Sequence, residues 1–147
     1  NLLSTLGQRG EDQSEFNFPT FITLHQGELY VVDTMGARIV VIDLVSGDTK
    51  KIIGQRGTRV GSLVRPKGVA VDSEGNTYVV ESYYDHLLVY NKQGELLLPI
   101  GGTGREPGQF FLPSGVWIDA NDRVYVADMF NGRISVFQFL GGGQESE

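Results

Sequence analysis

The sequence predicts an all-β fold built from three copies of one unit, and three observations carry that expectation. First, a glycine- and proline-rich segment recurs at a fixed interval. GQRGEDQSEFNFPTFI starts at Gly7, GQRGTRVGSLVRPKGV at Gly54 and GGTGREPGQFFLPSGV at Gly101; these glycines are 47 residues apart, as are Pro19, Pro66 and Pro113. Second, each segment is followed by short runs rich in Val, Ile, Leu and Tyr, bounded by Gly, Asp and Asn, which is strand-and-turn chemistry. Third, no stretch carries the 3.6-residue apolar stripe of an amphipathic helix.

The glycine-rich segments read as linkers. A phosphate loop needs a lysine after its last glycine, and none is present. A dinucleotide fingerprint starting at Gly102 would place its third glycine at Pro107. A cofactor loop has no reason to recur at a fixed period, whereas a repeat linker does.

The strands follow in order. The first strands are FITL, GVAVD and GVWID, and the second are ELYVVD, NTYVVE and RVYVAD. The third are RIVVID from Arg38, HLLVYN from His86 and RISVFQF from Arg133, while TKKII and ELLLPI supply a fourth in two of the units. NLLSTL, ahead of the first linker, reads as an outermost strand, and the last unit lacks one. The first unit is one residue shorter between Pro19 and Tyr30 than the second between Pro66 and Tyr78, and one residue longer after Arg38. Both changes fall in turns, where length costs little. Four short antiparallel strands in a repeat of roughly 40–50 residues make a propeller blade. The expected architecture is therefore three four-stranded antiparallel blades over residues 1–140, with linkers starting near 7, 54 and 101. Residues 141–147 read as a flexible polar tail.

The pattern G-x-x-G-x-x-x-G-x-F-x-x-P-x-G-V, followed by Y-V-A-D-x-x-N-x-R-I-x-V-F, resembles the NHL repeat. The third unit carries it through Gly101, Gly104, Gly108, Phe110, Pro113, Gly115, Tyr125, Asp128, Asn131, Arg133 and Phe137. The second unit departs at Glu81 and His86 and places Asp85 before the histidine; the first has Phe21 where glycine is expected and lacks the aspartate of AVD. The resemblance implies a closed ring of six blades, of which three are half. An isolated row of three would leave two apolar blade faces open. The expected structural partner is a second half-propeller: a second copy of the chain, or a missing N-terminal half of the same protein. The resemblance to bacterial NHL proteins also points to a periplasmic or extracellular location.

Composition narrows the chemistry. The formal charge is −6 and the pI near 4.9, and nucleic-acid binding needs a basic surface, so RNA binding ranks third among the readings. Cysteine is absent, which excludes a thiol nucleophile, a disulfide and a c-type haem attachment. No apolar run approaches the ~18 residues of a membrane span, so no membrane insertion is expected. The two histidines, His25 and His86, stand at non-equivalent repeat positions and do not supply a metal cage. Calcium-dependent lactonases among related six-bladed propellers place acids and asparagines around the central channel, and Asp72 and Asp119 end innermost strands here. Each enters a tight turn, DSEGN or DANDR, and reads as a turn residue. No catalytic residue, metal or cofactor is assigned.

Three acid–base pairs flank four-residue turns: Asp33 and Arg38, Glu81 and His86, Asp128 and Arg133. Their recurrence in every unit favours a structural role fixing strand register, because catalysis needs one asymmetric site. The turns themselves differ, reading TMGA, SYYD and MFNG. With the linkers they form a face bearing Met35, Tyr83, Tyr84, Met129 and Phe130 beside Arg56 and Arg105, residue types enriched at binding hot spots. Trp117, in the column of Ala70, is expected to pack between blades. The function expected is a non-catalytic scaffold that binds a protein or peptide through this face. The alternative is a metal-dependent lactonase- or lyase-like enzyme with its site in the central channel.

Overall fold

The computed structural model describes residues 1–139; the expected polar tail, 141–147, lies outside the described residues. The first linker contains two short strands, β1 (Gln8–Arg9) and β2 (Glu15–Phe16). Blade 1 follows as β3 (Pro19–His25), β4 (Glu28–Asp33), β5 (Arg38–Asp43) and β6 (Thr49–Ile53). Blade 2 is β7 (Pro66–Val71), β8 (Thr77–Glu81), β9 (His86–Tyr90) and β10 (Leu96–Gly101). Blade 3 is β11 (Pro113–Ile118), β12 (Arg123–Asp128) and β13 (Arg133–Gln138). Each blade is an antiparallel meander in chain order, four-stranded in the first two and three-stranded in the third. Among the described residues no helix is long and apolar enough to cross a membrane.

The repeat reaches into the details of register. Every inner strand opens on a proline, and its pairing slips by one residue just after it, at Pro19/Phe21, Pro66/Gly68 and Pro113/Gly115. Proline has no N–H to give a ladder and is tolerated at such a strand start. The linkers share one fold too: Arg9, Arg56 and Thr103 bridge in parallel to Phe16, Leu63 and Phe110. The 47-residue glycine follows from this. Gly7, Gly54 and Gly101 have φ of +76°, +76° and +104°, and a Cβ on each would lie 2.4 Å from the Phe16, Leu63 or Phe110 side chain folded over it. Only glycine combines that backbone with that approach.

Side chains alternate across each strand and fill the gaps between blades. Tyr30, Val32, Ile39 and Val41 of blade 1 meet Val69, Val79, Leu88 and Tyr90 of blade 2. Ala70, Tyr78, Val80, Leu87 and Val89, on the other face of blade 2, meet Val116, Val124 and Val126 of blade 3, with Phe110 of the linker buried among them. Where inner strands converge, a Cβ on Gly68 would stand 3.1 Å from the Gly115 Cα.

Two expectations are corrected. Residues 1–6 form no strand and are exposed, because an outermost strand needs a blade edge to pair with and among the described residues none stands there. Trp117 does not pack between blades: it is 64% exposed on the outer face of blade 3, beside Tyr125 at 5.7 Å. Its column is right, but among the described residues no blade stands against that face.

Candidate interaction face

The face is built on acids that close the second strands. Asp33, Glu81 and Asp128 are fully buried, and each carboxylate accepts a backbone N–H from its linker: from Asn17 at 2.6 Å, Arg65 at 2.6 Å and Phe111 at 2.8 Å. A buried carboxylate must be satisfied this way. Arg38 Nε donates to Asp33 at 3.0 Å and Arg133 Nε to Asp128 at 2.8 Å. Burial alone would raise the Asp128 carboxyl, but the Phe111 amide, the Asn131 side chain and Arg133 together hold it below the ordinary carboxylate range.

The middle pair departs from this arrangement. Glu81 and His86 face each other in register, yet their side chains share no hydrogen bond. The longer Glu81 side chain folds onto its own turn and accepts from the Tyr83 and Tyr84 amides at 3.1 and 2.8 Å. His86 lies against Tyr84 instead, ring centroids 6.5 Å apart. Two of the three expected structural pairs are thus joined, and the third is not.

Above these acids stand the loop tips. Met35, Tyr83, Met129 and Phe130 are 50%, 55%, 54% and 63% exposed. Tyr84 is half-buried beneath Tyr83, edge-on at 4.9 Å. Phe130 leans on Phe111 at 5.2 Å. Arg56 is tethered across the blade gap to the Met35 carbonyl. Arg105 is exposed, while its carbonyl accepts from Arg133.

Sequence reasoning missed three contributors. Phe18 adds an apolar surface 61% exposed, with the Arg9 guanidinium 6.0 Å from its ring. Thr34 donates to the Pro66 carbonyl at 2.9 Å, joining blades 1 and 2. Asp85 joins blades 2 and 3, accepting from the Thr103 hydroxyl at 2.7 Å and the Leu112 amide at 2.8 Å. The signal for Asp85 was its place in the turn: it takes the left-handed position, φ +56°, that Ala37 and Gly132 occupy in the other blades, and aspartate tolerates that conformation.

The opposite rim carries Asp72 and Asp119. Asp72 accepts from the Glu74 and Asn76 amides, the Asn76 side chain and the Tyr78 hydroxyl. Asp119 does the same with the Asn121 and Arg123 amides, the Arg123 guanidinium and the Tyr125 hydroxyl. Desolvation would raise the Asp119 carboxyl, but these donors outweigh it and hold it down at about 2. Among the described residues no three His, Cys, Asp or Glu side chains gather as metal ligands would.

A family profile, DUF5128, described as a 6-bladed beta-propeller, matches residues 64–147. No curated protein sequence matches the chain. Solved structures do. A Bacteroides fragilis protein described as exported superposes with a TM-score of 0.66 at 19% identity, over 85% of this chain and 34% of that one. An auxiliary nutrient binding protein of Bacteroides thetaiotaomicron gives 0.59 at 15%, over 77% and 35%. The virginiamycin B lyase of Staphylococcus aureus gives 0.56 at 16%, over 85% and 42%. Identities this low establish the shared fold alone, and the chain spans well under half the length of each.

Proposed function

The chain belongs to the DUF5128 family of six-bladed β-propellers, and from that premise we propose that it is a non-catalytic scaffold binding a protein or peptide through the face of linkers and second-to-third-strand loops. One observation carries the reading. In equivalent loops the three blades expose four large side chains, Met35, Tyr83, Met129 and Phe130, above acids whose carboxylates hold linkers and turns. Exposed aromatics and methionines on a rigid base are what binding hot spots are made of. The lactonase- or lyase-like alternative draws no support from Asp72 and Asp119, whose oxygens are taken up by their own turns. We assign the repeat to the NHL type on its motif residues.

Ring completion belongs to the same proposal. Blade 1 exposes Ile22 and Leu24, and blade 3 exposes Trp117, Ile134 and Val136, at 60%, 63%, 64%, 62% and 54%. Neighbouring residues on the same strands that face the other way are less exposed: Thr23, Ser135 and Phe137 are half-buried and Val116 is buried. Three further blades, from the rest of the same protein or from a second copy joined head to tail, would cover both faces.

The test is selection of peptides from a random library on the chain, then measurement of their affinity for the double variant Tyr83→Ala, Phe130→Ala. A loss of about 2 kcal/mol or more per selected peptide, roughly 30-fold, with an unchanged melting temperature, is expected. Peptides that bind variant and parent alike would contradict it.

A further inference from the structure

One arginine fills the linker loop in blades 1 and 3. Besides its Nε bond to Asp33, Arg38 donates from its terminal nitrogens to the backbone carbonyls of Glu11, Asp12 and Glu15 at 3.0, 2.9 and 2.9 Å. Arg133 repeats this with the carbonyls of Arg105, Glu106 and Gln109 at 2.8, 3.0 and 2.7 Å. Each guanidinium thus sits among three carbonyls and a fully buried carboxylate.

In blade 2 the cradle is present and the guanidinium is not. The 47-residue spacing maps the three carbonyls onto Thr58, Arg59 and Ser62. The loop keeps its path there. Ser62 N donates to the Arg59 carbonyl as Glu15 N does to Asp12 and Gln109 N to Glu106, and the parallel bridge Arg56↔Leu63 is retained. Among the described residues the Thr58 and Ser62 carbonyls accept no hydrogen bond, and the His86 imidazole, in the arginine's place, makes none. A cavity of about 90 Å³ remains, lined by the 58–62 loop, Glu81, Tyr84, His86 and Leu88. That is several times the ~10–15 Å³ that admits one water. Arg59 is exposed and hydrogen-bonds neither the carbonyls nor Glu81, so the loop does not fill the space itself.

We propose that this cavity is an arginine-binding site: the space two blades fill from within is left in blade 2 for the arginine side chain of a peptide or protein partner. The inference rests on the face reading above and specifies it, since the cavity is lined by Tyr84, whose ring packs against Tyr83. Glu81 supplies the charge, the carbonyls of residues 58, 59 and 62 receive the planar N–H fork, and the Tyr84 ring offers a flat surface for stacking. A lysine ammonium, a point charge with three donors, does not match a fork-shaped acceptor set.

The test titrates the full chain with N-acetyl-arginine-methylamide, and in parallel with the citrulline and lysine analogues, following backbone amide shifts. The arginine probe should saturate one site centred on Ser62, Glu81, Tyr84 and His86, with the other two weaker by about tenfold or more. The double variant Glu81→Asp, His86→Arg, which rebuilds the arrangement of the sibling blades, should melt higher and lose the probe. Glu81→Gln removes the charge at the same size but leaves only one oxygen for the Arg65, Tyr83 and Tyr84 amides; with those amide signals shown to stay in place, it should lose the probe too and decides the case if the double variant fails to fold. No saturation, equal binding of the citrulline probe, or undiminished binding by Glu81→Gln overturns the proposal. Loss of the probe site alongside peptides that still depend on Tyr83 and Phe130 sinks this site and leaves the face reading standing. A functioning probe site with no selectable peptide does the reverse.

Discussion

Blades 2 and 3 have nearly the same strands and opposite fates. Ala70, Leu87 and Val89 of blade 2 are 5%, 0% and 0% exposed; their counterparts 47 residues on, Trp117, Ile134 and Val136, are 64%, 62% and 54% exposed. The strand pattern is alike, so the difference comes from the surroundings: among the described residues blade 3 has neither a fourth strand nor a blade against that face. A blade's burial is a property of the stack, as expected of repeats that cannot bury an apolar face alone. The same two blades differ again at their upper turns. Arg133 closes blade 3 with four hydrogen bonds, and the His86 side chain makes none among the described residues.

The burial contrast predicts the largest effect. Leu87→Ala should cost about 2–5 kcal/mol in urea unfolding, the range for a fully buried leucine. Ile134→Ala, the same column one blade on, should stay within about 0.5 kcal/mol in the dilute chain. Equal losses at the two positions would break the comparison.

The turn contrast comes next. Arg133→Ala should destabilise by about 2 kcal/mol, because it leaves the buried Asp128 without its cation and three carbonyls without a donor. His86→Ala should change stability by less than about 0.5 kcal/mol. A large loss for His86→Ala would mean that the imidazole holds the second blade's turn after all.

The smallest effect is on acid stability. Asp119 has its folded-state carboxyl held at about 2, below the ordinary aspartate value near 3.9. A depressed carboxyl contributes stability above its unfolded pKa and loses it as pH falls through the folded one. Asp119→Asn should therefore flatten the decline in melting temperature between roughly pH 4 and pH 2. A parallel decline in variant and parent would exclude that linkage.

The fold was legible because its signals are local and repeated. The glycine at each linker start answers to one side chain folded over it, and the proline at each inner strand to a missing N–H, so both recur with the backbone that needs them. The partners of the middle turn were not legible. Whether Glu81 reaches across to His86 or back to the Tyr83 and Tyr84 amides depends on one methylene group and on the depth of the turn. Asp85 gave a signal of turn geometry and none of the blade it would join. Residues 1–6 have the composition of a strand, but strand formation is decided by an edge to pair with. Trp117 marked an interface column correctly, and only the position of its blade in the row decides its exposure. The loop tips were placed on one face by topology alone, while the partial burial of Tyr84 and the tether of Arg56 required side-chain packing.

The central claim is that the outer faces of blades 1 and 3 are blade–blade interfaces. The lone tryptophan, Trp117, sits on one of them, so its emission and quenching read that face directly when recorded with the light-scattering mass across a dilution series. The account predicts a mass of at least twice the 16.1 kDa of one chain with a blue-shifted, quencher-protected tryptophan, and a red-shifted, quenchable one once the assembly is diluted apart. A stable, monodisperse species of one chain, with tryptophan emission unchanged over the whole series, would contradict it.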